Sequence, residues 1–257
     1  TVGLVELNQT NDNNWDDAGD VAVTFTTPVG TWNEGNFEDR IQYDLTGTAA
    51  ADTLSGGKLA DTLTGGADAD IYKGNGGLDT INLGTDTGAD VVHLITANDG
   101  GAAGIDSTGD VITGFKTTSD KFTLSGALAT ALDTVTNDTT LVFATTGIND
   151  SDTDAAVGAS LNATNEMLLL NKANSGVVAA DLGDLSVIQT ALEKQITLTA
   201  ADTETGLIVV ESSDVTGRFG VYYYLEAATI NQFDLAELTI LATGTGDAIA
   251  AGDFITT

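Results

Sequence analysis

Between Gly47 and His93 the chain repeats a nine-residue unit, a period too short for a helical hairpin and too regular for an ordinary sandwich. Five segments carry it: GTAAADTLS (47–55), GGKLADTLT (56–64), GGADADIYK (65–73), GNGGLDTIN (74–82) and TDTGADVVH (85–93), the last offset by Leu83-Gly84. Each is a Gly-rich turn, an aspartate, one variable residue and a large apolar residue. The aspartates are Asp52, Asp61, Asp70, Asp79 and Asp90, and the apolar positions are Leu54, Leu63, Tyr72, Ile81 and Val92. A fixed short period that alternates acid and apolar residue is the signature of a stacked coil. Six residues make a turn and three a short strand, so two nonads complete one flat right-handed coil.

That geometry predicts a cation. Stacked parallel strands lie about 4.8 Å apart, which sets aspartates eighteen residues apart over one another. Asp52 then meets Asp70, Asp61 meets Asp79, and Asp70 meets Asp90 across the offset. Carboxylates this close repel unless a cation lies between them. Calcium fits such a gap, because it takes 6–8 oxygens in flexible geometry and turn carbonyls complete the shell. Glycine suits turns whose carbonyls aim inward, since some positions there need positive φ. Leu54, Leu63, Tyr72, Ile81 and Val92 give only a thin core, and two and a half coils rise about 12 Å. A stack so short needs caps at its ends.

Composition supports this reading and removes others. The chain has 257 residues, 38 acidic against 8 basic, for a formal charge of −30. Nucleic acid is excluded as a partner because phosphate binding needs clustered Lys and Arg, and an anionic membrane surface is disfavoured likewise. There is no cysteine and one histidine, His93, so Cys-based zinc, a HExxH centre and disulfides are out. No GxSxG occurs either, and no apolar run reaches the roughly 20 residues of a membrane span. The expected protein is not an enzyme.

The flanks read as β-structure. Residues 1–46 hold candidate strands at Val2–Leu7, Val21–Thr26 and Arg40–Leu45, as the end of an N-terminal β domain. Residues 47–126 are the repeat and its closing segment. Residues 127–257 form a C-terminal β domain, with strands at Thr140–Phe143, Met167–Leu170, Gln195–Leu198, Leu207–Val210, Phe219–Leu225 and Leu238–Leu241. One helix is expected over Ala180–Lys194, where Leu182, Leu185, Ile188 and Leu192 share a face. Two Asx-rich stretches, Asp12–Asp16 and Asp150–Asp154, space oxygens like an EF-hand loop. Both lack its glycine and its closing glutamate, and read as solvated turns. Thr53, Thr62 and Thr80 face outward in rows only two residues long, too short to order ice.

The repeat resembles that of the RTX (repeats-in-toxin) family, whose nonad is GGxGxDxUx with U a large apolar residue. Aspartate and apolar positions match throughout. The first position reads Gly47, Gly56, Gly65, Gly74 and Thr85, whereas the fourth departs at Ala50, Leu59 and Asp68 before matching at Gly77 and Gly88. DVITGF…SDKFTLSG (110–126) resembles the segment that closes such rolls in secreted proteases and surface-layer proteins. GDFITT (252–257) resembles the acidic and apolar cluster of type I secretion signals. The resemblance implies an all-β chain with a short calcium-binding parallel β-roll, flanked by β-sandwich-like domains with one or two short helices in the C-terminal part. It implies several Ca2+ ions, and the ligand set expected is Asp52, Asp61, Asp68, Asp70, Asp79, Asp90, Asp110 and Asp120. It further implies export by type I secretion machinery from a Gram-negative-type bacterium, and a place outside the cell. Within that class the sequence favours a surface-layer structural protein that self-associates on calcium. The alternatives are the C-terminal secretion module of a hydrolase and a calcium-stabilised adhesin.

Overall fold

The computed structural model describes residues 42–97, 99–100, 104–105, 109–132, 143–144, 167–195, 205–225 and 234–256. The expected strands Val2–Leu7 and Val21–Thr26 and both Asx-rich stretches lie outside these residues.

Each nonad yields one three-residue strand directly after its aspartate. The rungs are β1 (Asp44–Thr46), β2 (Thr53–Ser55), β3 (Thr62–Thr64), β4 (Ile71–Lys73), β5 (Thr80–Asn82) and the slightly longer β6 (Val91–Leu94). Their middle residues point inward and their flanking residues outward, as a pleat of period two requires. Leu45, Leu54, Leu63, Tyr72, Ile81 and Val92 are all buried. Successive rungs go to opposite sheets, so β1, β3 and β5 stack in parallel on one face and β2, β4 and β6 on the other. The register is the eighteen-residue one: Leu45 on Leu63 on Ile81, and Leu54 on Tyr72. Tyr72 sits on Val92 instead. The Leu83-Gly84 insertion is thus absorbed entirely in one turn, and Leu83 is buried there.

The stack is taller than five nonads. β7 (Asp110–Phe115) continues the first sheet and β8 (Lys121–Leu124) the second, with Ile81 under Ile112 and Val92 under Phe122. At the lower end β1 belongs to the roll, so Asp44–Thr46 is its first rung among the described residues, where the sequence placed the end of a preceding domain. At the upper end the roll runs into the C-terminal part. After α1 (Gly126–Leu132) come β9 (Phe143–Ala144), β10 (Met167–Leu170), α2 (Leu185–Gln195), β11 (Thr205–Glu211), β12 (Arg218–Leu225), β13 (Leu238–Gly246) and β14 (Phe254–Thr256). β13 lies parallel on β7, and β14 parallel on β8. The result is a nine-stranded sheet, β1-β3-β5-β7-β13-β12-β11-β10-β9, opposite a five-stranded one, β14-β8-β6-β4-β2. In place of a separate sandwich, the C-terminal strands extend the roll's own sheet.

The two halves share one core. Leu207, Val209, Phe219, Val221 and Tyr223 face the roll interior, while Ile208, Val210, Tyr222 and Tyr224 face α2 through Leu185, Ile188 and Leu192. Burial on both faces explains why β11 and β12 read as unbroken apolar runs. Tyr222 and Tyr224 are therefore core residues, and the Tyr222 hydroxyl donates to the Leu182 carbonyl at 2.6 Å. Phe115, Phe122, Phe219 and Phe254 form an aromatic cluster at the join. Phe122 stacks on Phe115 and Phe254 at 4.8 and 5.1 Å between centroids and meets Phe219 edge-on.

The helix begins later than its periodicity suggested. Ala179–Asp181 is a 3-10 turn, and Asp184 caps α2 by accepting from the Ser186 and Val187 N–H groups. Gln195 ends this helix instead of opening a strand, and residues 196–198 lie outside the described set. α1 is the second of the one or two short helices expected, and its place was not foreseen because Leu128 and Leu132 are its only buried apolar pair. No described helix is long and apolar enough to cross a membrane.

The outer face of the larger sheet carries two in-register columns. One runs Asp44, Thr62, Thr80, Val111, Thr243; the other runs Thr46, Thr64, Asn82, Thr113, Thr245. β1, β7 and β13 lengthen these columns to five members, but the Thr62–Thr80 row stays two threonines long between Asp44 and Val111. The opposite face is irregular, with Ile71, Lys73, Val91, His93 and Lys121 among its outward residues.

Candidate metal centre

The aspartates stand in two columns, one on each side of the roll. Asp52, Asp70, Asp90 and Asp120 precede rungs of the smaller sheet, and Asp61, Asp79 and Asp110 those of the larger. All seven are at most 4% exposed, a rarity for carboxylates. Within each column, the Oδ1 of one aspartate accepts the backbone N–H of the aspartate one coil earlier. Asp52 N–H donates to Asp70 at 2.8 Å, Asp70 N–H to Asp90 at 2.9 Å and Asp90 N–H to Asp120 at 3.2 Å. On the other side Tyr43 N–H donates to Asp61 at 2.6 Å, Asp61 N–H to Asp79 at 2.7 Å and Asp79 N–H to Asp110 at 3.0 Å. Asp52 with Asp70, Asp61 with Asp79 and Asp70 with Asp90 are the pairs expected from the repeat, and Asp110 and Asp120 extend the columns over longer separations. Their contact differs, because carboxylate meets main chain where carboxylate facing carboxylate was expected.

The second oxygen divides the set. In three turns Oδ2 reaches back four residues and closes its own turn: Thr48 N–H donates to Asp52, Gly57 N–H to Asp61 at 2.6 Å, and Lys116 N–H to Asp120 at 2.8 Å. These carboxylates act as turn caps. Asp70 Oδ2 and Asp79 Oδ2 are buried and accept no hydrogen bond among the described residues, and neither does Asp86 Oδ2. A buried carboxylate oxygen without a donor is costly, and such atoms mark places where an ion or water belongs.

Turn carbonyls stack in the same gaps. Ala67 N–H donates to the Thr48 carbonyl at 3.2 Å and Gly76 N–H to the Gly57 carbonyl at 3.0 Å. The main chain of one turn lies so close on the next that a Cβ on Gly66 (φ 120°) would strike the Thr48 oxygen, and one on Gly77 (φ 124°) the Leu59 oxygen. On the Asp61 side, a Cβ on Gly74 would meet both Asp79 Oδ2 and, at 3.2 Å, Asp110 Oδ2, so these two oxygens border one space.

Charge has accumulated without compensation. Burial first, then neighbouring aspartates, pushes Asp79 up to about 8 and Asp90 up to about 7. Asp70 and Asp99 are raised chiefly by burial, and Asp110 well above its ordinary range, with Asp79 the largest charge acting on it. Among the described residues, no three Asp, Glu or His side chains converge as a ready-made metal cluster. A cation between turns would take one or two carboxylate oxygens and fill its shell from carbonyls, and the donors here are all hard oxygens, as calcium prefers. The orphaned oxygens at Asp70 and Asp79 fit that requirement.

Of the eight expected ligands, Asp68 alone turns its side chain to solvent; among the described residues its Oδ1 accepts from the neighbouring Ala69 N–H, at 3.1 Å. Asp86 and Asp99 are the residues the repeat did not announce. Asp86 lies in the turn lengthened by Leu83-Gly84, at the second position of its nonad, where the other nonads carry Thr48, Gly57, Gly66 and Asn75. Asp99 caps its turn through Ile95 N–H and Thr96 N–H and acts electrostatically on Asp79 and Asp110. His93 is half-buried on an outward column between Lys73 and Thr123. Comparisons with family models, with curated proteins and with solved structures find no match.

Proposed function

We propose that this chain is a calcium-dependent, non-enzymatic structural region of a bacterial extracellular protein, exported by type I secretion and set into shape by calcium between its turns. The observation that carries the reading is the pair of in-register aspartate columns, buried, unneutralised and holding orphaned oxygens at Asp70 and Asp79. Calcium supplies the positive charge when bound. The chain's own residues orient the turns through the Asp-to-N–H ladder, bring carbonyls to the gaps and shut out bulk water with the rungs above and below.

The magnitudes suit a switch between compartments. A site with a dissociation constant of about 0.1 mM adds about 1.4 kcal/mol at ~1 mM calcium, and three such sites roughly 4 kcal/mol. That is a large part of a typical stability of about 5–15 kcal/mol. Submicromolar calcium adds almost nothing, so the region stays unfolded inside the cell and folds outside. Circular dichroism during a calcium titration tests this, with a rise in β signal expected near millimolar calcium; full folding in excess EDTA would sink it.

The surface-layer role rests on the family resemblance and on the charge of −30, which a divalent cation bridges between copies. Light scattering in millimolar calcium should show assembly reversed by EDTA. A monomer at high protein concentration in calcium would argue for the secretion-module reading instead.

A further inference from the structure

The turn 83–90 is two residues longer than its neighbours, and its extra carboxylate does not behave like the repeat's own. Asp86 Oδ1 accepts the Gly88 N–H at 2.6 Å, which fixes the side chain in the turn. Among the described residues its buried Oδ2 has no donor, and neither has Oδ2 of Asp70, a residue only 1% exposed. The charge of Asp86 acts on Asp70, on Asp90 and on the Tyr72 hydroxyl.

Carbonyls are gathered beside it. A Cβ on Gly84 would stand 3.0 Å from Asp86 Oδ2 and 3.1 Å from the Gly66 carbonyl oxygen, so both border one small volume. A Cβ on Gly88 would strike the Asp68 carbonyl and lie 2.8 Å from Asp86 Oδ1. A Cβ on Gly65 would run into Asp70 Oδ2 and the Tyr72 hydroxyl together. The Lys116 ammonium is committed to the Asp86 main-chain carbonyl.

We infer that the Leu83-Gly84 insertion builds a divalent-cation site of its own, with Asp86 and Asp70 as anionic ligands and the Gly66 and Asp68 carbonyls as neutral ones. The inference rests on the calcium reading above and goes beyond it. The site is not a repeat of the nonad pattern but depends on the one place where that pattern breaks. The bland alternative, an insertion that only lets the chain reach β6, leaves two buried carboxylate oxygens without donors.

Asp86→Asn tests it, because an amide Oδ1 still accepts from Gly88 N–H while the charge is lost. Isothermal titration of the full chain with calcium should show one ion fewer than wild type. The calcium midpoint for folding should rise about tenfold, since affinity follows ligand charge count. A second measurement uses Tb3+ in place of calcium. Tyr72 beside Asp70 should sensitise its luminescence, and Tyr72→Phe should remove most of that emission while keeping the ion count. If wild type binds calcium and Asp86→Asn binds the same number with the same affinity, or if Tyr72→Phe leaves the Tb3+ emission unchanged, the site is overturned and the calcium reading stands. If wild type binds no calcium, the calcium reading itself falls.

Discussion

The lower and upper parts of the nine-stranded sheet are built on opposite principles. From β1 to β5 each rung buries one side chain, and the turns hold themselves in place through aspartate oxygens. From β13 to β10 each strand buries residues on both faces, against α2 on one side and the aromatic cluster on the other. Hydrophobic burial contributes about 25 cal/mol per Å2 of apolar surface, and the upper part adds to the shared core a second cluster against α2. The lower part has only its share of the common core and carries the buried aspartate columns as well. Continuity of hydrogen bonding does not make two regions depend on the same force.

Removing calcium should separate them most widely. In EDTA, amide exchange read by mass spectrometry should become fast across 44–94 while β11, β12 and β13 keep their protection. Equal loss in both parts would break the contrast and make the sheet one cooperative unit. Phe122→Ala comes next. It opens the aromatic cluster that both parts share, at a cost of about 3–5 kcal/mol. The cost should be the same with calcium or EDTA in denaturant unfolding; dependence on calcium would assign the cluster to the roll alone.

A smaller effect follows from protons. Asp79 and Asp90 titrate at about 8 and about 7 in the fold, chiefly because they are buried, against roughly 4 in an unfolded chain. Carboxylates raised in this way favour the fold while protonated, so their contribution is complete below about pH 4 and lost as the pH rises through about 7 to 8. In EDTA the thermal midpoint should therefore fall between about pH 5 and about pH 9. Saturating calcium should flatten or invert that slope, because it binds the ionised form. The same fall in calcium would show that these groups do not meet the ion. The smallest change expected is Lys121→Met. The pair with Asp253 spans 3.1 Å, but Asp253 also accepts from the Thr117 hydroxyl and the Ala250 N–H. A loss of about 1 kcal/mol or less is expected from thermal melts.

Sequence alone located the rungs because a nonad period leaves the chain little choice: Asp, one outward residue, one inward residue, turn. Leu54, Tyr72 and Val92 fall where that rule puts them. It also named the stacked pairs, including Asp70 with Asp90 across the offset. It could not tell which oxygen each carboxylate offers to the main chain, since that depends on turn conformation within an ångström. Asp52 and Asp70 therefore look alike in the repeat and differ in the fold. Asp86 was hidden because it sits in the one irregular turn. The height of the stack was hidden for another reason: β13 and β14 carry no nonad, and their pairing with β7 and β8 comes from shape and apolar surface.

Those two strands also decide when the roll is finished. Within the repeat, stacked partners are 18 or 20 residues apart, whereas Ala242 sits on Asp110 and Phe254 on Phe122 after 132 residues of intervening chain (110 to 242, 122 to 254). Short closures are quick and long ones slow. A chain that folds from the fully extended state thus closes its lower rungs on one another before their lid docks. The clock for assembly is held by residues 238–256, and the stack stays open until they dock.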